Sequence, residues 1–222
     1  MCGRYTVFRE VQEIKARFNA WIDEGLYKRS FNAAPSHLLP VVSTLDPEKI
    51  SFFRWGLIPS WAKDLSIGSR MINARAETLH EKPSFRSLLR SRRCLVIADG
   101  YYEWKQEGKI KQPYYICRKD NDLFAFAGLW DIWKSNDGEI YSFTIITTTP
   151  NPELAGLHHR MPVILAHEHE KNWINPDFPV QELREILIPL EDEQLTYHPV
   201  SREVNIPSNN NAALVAPLNR DQ

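Results

Sequence analysis

The sequence predicts a single α+β domain with a curved, mostly antiparallel β-sheet or barrel at its core and helices at the periphery. Three observations carry this expectation. Helical periodicity is brief and confined to a few places, short β-like runs dominate the middle of the chain, and no repeat, low-complexity tract or linker interrupts the 222 residues. A chain of that length buries roughly 70% of its unfolded surface without a disulfide scaffold. One domain over residues 1–222 is therefore expected.

Taken in order, Val7, Val11, Ile14, Phe18 and Trp21 fall at steps of four and three, which predicts an amphipathic helix over 8–21 with this stripe in the core. After "PSHLLP" the pattern changes. The runs "LPVV", "ISFFRW", "CLVIA", "GYYEWK", "PYYICR", "LFAFAGLW", "YSFTIITT" and "MPVIL" read as strands, and "QEGK" and "SNDGE" as hairpin turns between them. Further helices are predicted near 84–92, 167–174 and 180–187.

Composition excludes more than it selects. With 43% hydrophobic and 25% charged residues and a net charge of −1, bulk charge names no partner. Its distribution is uneven, however. Residues 61–93 carry eight basic and three acidic side chains, a net of +5, whereas residues 167–195 carry two and eight, a net of −6. The first segment fits a cationic face for a polyanion, or a solvated helix surface at "FRSLLRSRR". Cys2, Cys94 and Cys117 are odd in number and form no CxxC, which points to a reducing, intracellular compartment. No apolar run is long enough to span a bilayer, and the start lacks a secretory pattern, so no membrane role and a cytoplasmic location are expected.

Five stretches carry candidate chemistry. "MCGRYTVF" places small residues after the initiator, and loss of Met1 leaves Cys2 with an α-amine and a thiol on one carbon. These groups titrate near roughly 7.7–8.0 and 8.5, so each has a reactive fraction at neutral pH; an idle chain start is the alternative. In "INARAET", strand alternation puts Asn73, Arg75 and Glu77 on one side, suited either to an oxygen-rich or phosphate-bearing ligand or to a surface Arg75–Glu77 pair. In "ADGYYEWK", Glu103 lies among aromatics that disfavour its charged form and suit it to proton transfer; an edge-strand glutamate beside Lys105 is the competing reading. In "GLHHRMPVIL", His158, His159 and Arg160 lead into a buried strand, where histidine suits proton transfer at neutral pH. No metal is expected, because "HH" and "HEHE" lack a third ligand at a recognised spacing. In "RWGLIPSWAKD", Trp55 is expected inside, whereas Trp61 beside Lys63 is the candidate for stacking on a nucleobase.

"MCGRY", "FNAAP", "RWGLIPSW", "INARAET", "RCLVIADGYYEWK", "KQPYYI", "FAGLW", "TIITTTPN", "LHHRMPVIL" and "HPVS" together resemble, in this order and over about residues 2–205, the SOS-response-associated peptidase (SRAP) family of abasic-site processing proteins. The resemblance implies one α+β domain with a positively charged groove for single-stranded DNA. It also implies a covalent cap on abasic sites, in which Cys2, freed of Met1, closes a thiazolidine with the sugar aldehyde. Lyase and self-processing activities accompany it. By position, Cys2 is the nucleophile, Asn73 orients the amino terminus or sugar, and Glu103 and His158 move protons. Arg4, Arg75 and Arg160 match phosphate-contacting positions, and Trp61 a base-stacking one. No cofactor is implied, and a monomer associated with the nucleoid is expected. An N-terminal-nucleophile cysteine peptidase or amidohydrolase, and a non-catalytic single-strand binder, are the other two classes that these residues admit.

Overall fold

In the computed structural model, which describes residues 2–136 and 138–218, the chain begins with strand β1 (Arg4–Val7) and helix α1 (Val11–Phe18). Strands β2 (Trp21–Ile22), β3 (Ser30–Ala33), β4 (Leu38–Ser43), β5 (Asp46–Trp55) and β6 (Asn73–Arg75) follow. Two single-turn helices, α2 (Pro83–Arg86) and α3 (Leu88–Ser91), lead into β7 (Arg93–Ala98), β8 (Gly100–Glu107), β9 (Ile110–Arg118), β10 (Phe124–Ser135), β11 (Gly138–Thr148) and β12 (Met161–Pro162). Helices α4 (His167–Ile174) and α5 (Leu183–Ile186) and strand β13 (Leu195–Pro199) complete the regular elements, apart from short 3-10 turns.

Strands β5, β4, β7, β10 and β11 pair in that order, and β11 returns to β5 through a short parallel pairing at Ser142–Arg54 and Phe143–Trp55. The five therefore close into a barrel, which removes two sheet edges. Against it lies a five-stranded sheet in the order β13-β9-β8-β1-β3. Most pairings are antiparallel, as expected; β2–β5, β5–β11 and β6–β11 are the parallel ones. Every residue of β7 is buried. Besides its neighbours in the barrel it meets β1, α3 and α4, so both of its faces are covered, which explains an unbroken "CLVIA" run where a half-exposed strand would alternate.

Local chemistry sets the corners. The hairpin of "QEGK" turns at Gly108, whose φ of 59° suits glycine, and Glu107 faces Ile110 across it. In "SNDGE", Ser135 pairs with Gly138; Asp137 lies outside the described residues, as does Met1. Gly100, at the entry to β8, has no room for a side chain, since a Cβ there would stand 2.4 Å from the Tyr115 hydroxyl oxygen. That close approach lets β8 lie flat between β1 and β9.

Three expectations are corrected. The first helix ends at Phe18 because Asn19 adopts the left-handed conformation (φ 47°). Trp21 consequently falls on β2 and is exposed beneath Lys49, whose ammonium sits 4.7 Å from the ring centroid. Region 84–92 forms two separate turns rather than one helix. Finally, the cationic segment 61–93 is not all surface. Arg92 pairs with the buried Asp131, and Arg93 is fully buried, donating to Leu89 O and Arg90 O at 2.7 Å, Trp173 O at 2.6 Å and Asn175 O at 2.5 Å. One guanidinium thus caps the carboxyl ends of α3 and α4 together, where helix carbonyls gather partial negative charge.

Candidate active site

Cys2 lies two residues before the start of β1, and its side chain is fully buried. Strand β1 runs antiparallel to β8 with Arg4 opposite Tyr102 and Tyr5 opposite Tyr101. The chain start is thereby laid along the stretch of β8 that carries Glu103. From the barrel side, β6 is held against β11 with Asn73 opposite Ile145, and Trp55, buried as expected, donates its indole N–H to Ile72 O at 3.0 Å. That pinned strand presents Asn73, whose Nδ2 donates to Cys2 O at 2.8 Å. Asn73 Oδ1 is buried with no hydrogen-bond partner among the described residues, so an acceptor stands ready beside the cysteine.

Electrostatics divides the labour. Burial, and then the nearby Glu103 carboxylate, push the Cys2 thiol well above its ordinary range; its Sγ lies 3.9 Å from Arg4 O. At neutral pH this sulfur is a thiol, not a thiolate. Burial also pushes the Glu103 carboxyl up to about 7, against the opposing positive charge of the chain's amino end. A group half-protonated at neutrality both gives and takes protons. Glu103 is 4% exposed on β8, the central strand of the five-stranded sheet, not on an edge as the competing sequence reading had it.

His158 enters from the loop before β12. Its Nδ1 sits 3.0 Å from the Arg160 amide nitrogen and 3.2 Å from the Arg160 carbonyl oxygen. The neutral ring accepts from the amide at Nδ1 and so carries its proton on Nε2, whereas the protonated ring donates from Nδ1 to the carbonyl. Burial lowers its pKa, with the amino-terminal charge acting in the same direction. The His159 ring stacks on it at 4.2 Å.

The other expected binding residues separate into distinct settings. Arg160 does not reach solvent freely: its Nη1 and Nη2 bind Glu77 Oε1 and Oε2 at 2.7 and 3.0 Å, and Nη2 also donates to Thr147 O at 2.6 Å. The side chain of Arg75, at the exposed end of β6, makes no hydrogen bond among the described residues, so Glu77 chooses Arg160 over it. Arg4 is half-buried and ties β1 to the C-terminal segment through Asn32 Oδ1 at 2.9 Å and Val204 O at 3.0 Å. Trp61 is 61% exposed on a separate cavity of about 280 Å³ beside α2 and α3, with Ser84, Ser87 and the Arg92–Asp131 pair in its wall. Two buried tyrosines escaped the sequence reading. Burial raises both phenols, and Tyr5 and Tyr101 both feel Cys2; alternation along β8, which puts 101 and 103 on one side, was the available signal. Among the described residues no cluster of three or more His, Cys, Asp and Glu is arranged to hold a metal, and no helix is long and apolar enough to cross a membrane.

A sequence profile for the SOS response associated peptidase (SRAP) family matches residues 1–207. This chain belongs to the SRAP family. Among its relatives, the abasic site processing protein YoqW of Bacillus subtilis is 46% identical over 97% of this chain and 99% of its own length. The abasic site processing protein HMCES of Gallus gallus is 32% identical over 89% of this chain and 69% of its own. A crystal structure of a Bacteroides thetaiotaomicron protein superposes with a TM-score of 0.91 at 30% identity, covering 98% of this chain and all of that one. The SRAP fold therefore accounts for nearly the whole chain, including Cys2 and the strands that carry Asn73 and Glu103.

Proposed function

We propose that this chain processes abasic sites in single-stranded DNA by covalent capture at Cys2 after removal of Met1. The observation that carries the reading is the Asn73 amide holding the Cys2 carbonyl at 2.8 Å in a site where burial raises the Glu103 carboxyl to about 7, matched to neutral pH. The names of the relatives supply the substrate class.

The chemistry starts at the amine, not the sulfur. The α-amine adds to the open-chain sugar aldehyde, and Glu103 accepts the ammonium proton. Glu103 then returns a proton to the carbinolamine hydroxyl, which leaves as water and yields an imine. The thiol adds across the C=N bond: sulfur bonds to carbon, its proton ends on nitrogen, and a five-membered thiazolidine closes. A protonated, non-ionised thiol suits that last step, since it brings the proton that the imine nitrogen needs. His158 serves as the second proton-transfer group. A cysteine peptidase needs the opposite setting, a thiolate stabilised by a neighbouring cation. Arg75 and Arg160 contact phosphates, Arg4 holds the strand behind Cys2, and Trp61 stacks on a base. The protein works as a monomer on nucleoid DNA in the cytoplasm, without a cofactor, and strand-lyase and self-processing chemistry share the same centre.

Three denaturing-gel lanes with a single strand bearing one abasic site test this. Native, Met1-free protein gives a heat-stable, stoichiometric shift. Cys2→Ala keeps the amine and loses ring closure, so it gives no stable adduct, yet borohydride traps its imine. A peptidase with the thiol deleted is trapped by nothing, and a passive binder forms no adduct in any lane. A heat-stable adduct with Cys2→Ala refutes the thiazolidine.

A further inference from the structure

The Glu77–Arg160 pair is built unlike an ordinary surface ion pair. The Arg160 side chain is only 11% exposed, while that of Glu77 is 47% exposed. The guanidinium is fixed from behind by Thr147, through its carbonyl at 2.6 Å and Oγ1 at 3.3 Å, at the end of barrel strand β11. It is closed from the front by a carboxylate that binds both terminal nitrogens. Arg160 Nε is buried with no partner among the described residues, so Glu77 and Thr147 leave one donor of the fork unused. Glu77 belongs to the 3-10 turn Ala76–Thr78, directly after the strand that carries Asn73 and Arg75. The lid over Arg160 is therefore continuous with the site.

A carboxylate and a phosphodiester present the same two-oxygen edge to a guanidinium. We propose that Glu77 is a phosphate stand-in, which holds Arg160 in the geometry of a phosphate complex when DNA is absent and yields it to a backbone phosphate when a single strand binds. This rests on the single-strand reading above and deepens it by assigning a specificity role to Glu77. The fork is preorganised, so little side-chain freedom is lost on binding. Loose anions in solution meet an occupied guanidinium, whereas a strand that also engages neighbouring contacts displaces the carboxylate. The hydrogen bond from Arg160 holds the Glu77 carboxyl below its ordinary range, so the stand-in is charged at neutral pH. Room for it to leave lies alongside: a cavity of about 290 Å³ lined by Ala76, Glu77, His80, Thr148, Arg184 and Leu187. Arg184 makes no ion pair among the described residues and offers the displaced carboxylate a second cation.

The test measures non-covalent binding of an undamaged oligonucleotide single strand by native protein, Glu77→Gln, Arg160→Gln and the double variant, across a salt series. Glu77→Gln retains shape and removes charge. It should bind about three- to tenfold more tightly near 0.1 M salt, with the slope of log K against log salt steeper by about 0.7, because Arg160 then releases a counterion instead of a carboxylate. In the Arg160→Gln background the same change should alter affinity less than about twofold. Unchanged or weaker binding by Glu77→Gln overturns the proposal, and so does an equal gain without Arg160, which would be general relief of repulsion. Should Arg160→Gln not fold, the slope of Glu77→Gln decides alone. A native protein that binds no single strand at all overturns the single-strand reading itself, and this proposal with it.

Discussion

Asn73 donates its amide N–H to the carbonyl oxygen of Cys2, joining a barrel-bound strand to the start of the chain across 71 positions of sequence. The bond fixes the residue that bears both reacting groups, so its loss misplaces amine and sulfur together. Asn73→Ala should slow crosslinking by about ten- to a hundredfold, the range for one positioning hydrogen bond of about 1–3 kcal/mol. Asn73→Asp should be slower still, because a carboxylate cannot donate to a carbonyl. Single-turnover rates measure this, with binding of an undamaged strand as the control expected to stay within about twofold. Native-like rates in Asn73→Asp would remove the amide from the mechanism.

Glu103 couples the site to pH in two ways. Its carboxyl, raised by burial to about 7, keeps its proton in the folded chain between an ordinary value of about 4.3 and about 7, while the unfolded chain loses it. The folded state binds more protons in that window, so stability falls as pH rises through it. Glu103→Gln should flatten the fall by up to about 3 kcal/mol, taking 1.36 kcal/mol per unit, as read from urea midpoints at pH 4.5 and 8. Asp99, raised to about 6 by burial, slopes the same way in both proteins and cancels in the comparison. The same variant should crosslink on the order of 10²-fold more slowly and lose its rate inflection near pH 7. Retention of that inflection would assign it to another group.

Arg93 is expected to be a stability residue, not a DNA contact, despite lying in the most basic segment. Arg93→Met leaves the carbonyls of Leu89, Arg90, Trp173 and Asn175 without their shared donor. The cost should be on the order of 3 kcal/mol in denaturant unfolding, with the salt dependence of DNA binding unchanged in protein that remains folded. A shallower salt slope would return Arg93 to the binding face.

Arg75 and Trp61 should separate by the kind of binding lost. Arg75→Ala should lower the salt slope by roughly 0.7, the mark of one phosphate contact on a single strand. Trp61→Ala should leave the slope in place and cost about 1–3 kcal/mol of affinity, the range for a stacked base. The salt series described for Glu77 serves both, and identical slopes for native protein and Arg75→Ala would move the phosphate path away from β6.

Period-two alternation and a short list of proton-transfer residues made much of the candidate site legible in the sequence. Glu103 among aromatics, Asn73 on a short strand, a buried Trp55 and an exposed Trp61 all follow from which faces strands and turns present. What stayed hidden depends on partners distant along the chain. Nothing local to "RSRR" says that Arg93 meets carbonyls of a helix about eighty residues later, nor does "INARAET" say that Glu77 prefers Arg160 to Arg75 two residues away. Closure of the barrel by β5 and β11 is likewise a pairing of residues 54–55 with 142–143, and no turn signal connects them. The exposed Trp21 continued a helical stripe that a left-handed Asn19 had already ended.

The position of β1 inside its sheet sets a timetable for making the protein. The proposed removal of Met1 needs a free stretch of chain behind it, whereas in the finished fold Cys2 is buried and the strand behind it lies between β3 and β8. Strand β8 spans Gly100–Glu107, so β1 has no partner on that side until the ribosome has passed those codons. At about 5–20 residues per second, that leaves on the order of 5–20 seconds during which β1 lacks its β8 partner. Under the proposed function, removal of Met1 belongs to that interval, before the later half of the polypeptide closes over Cys2.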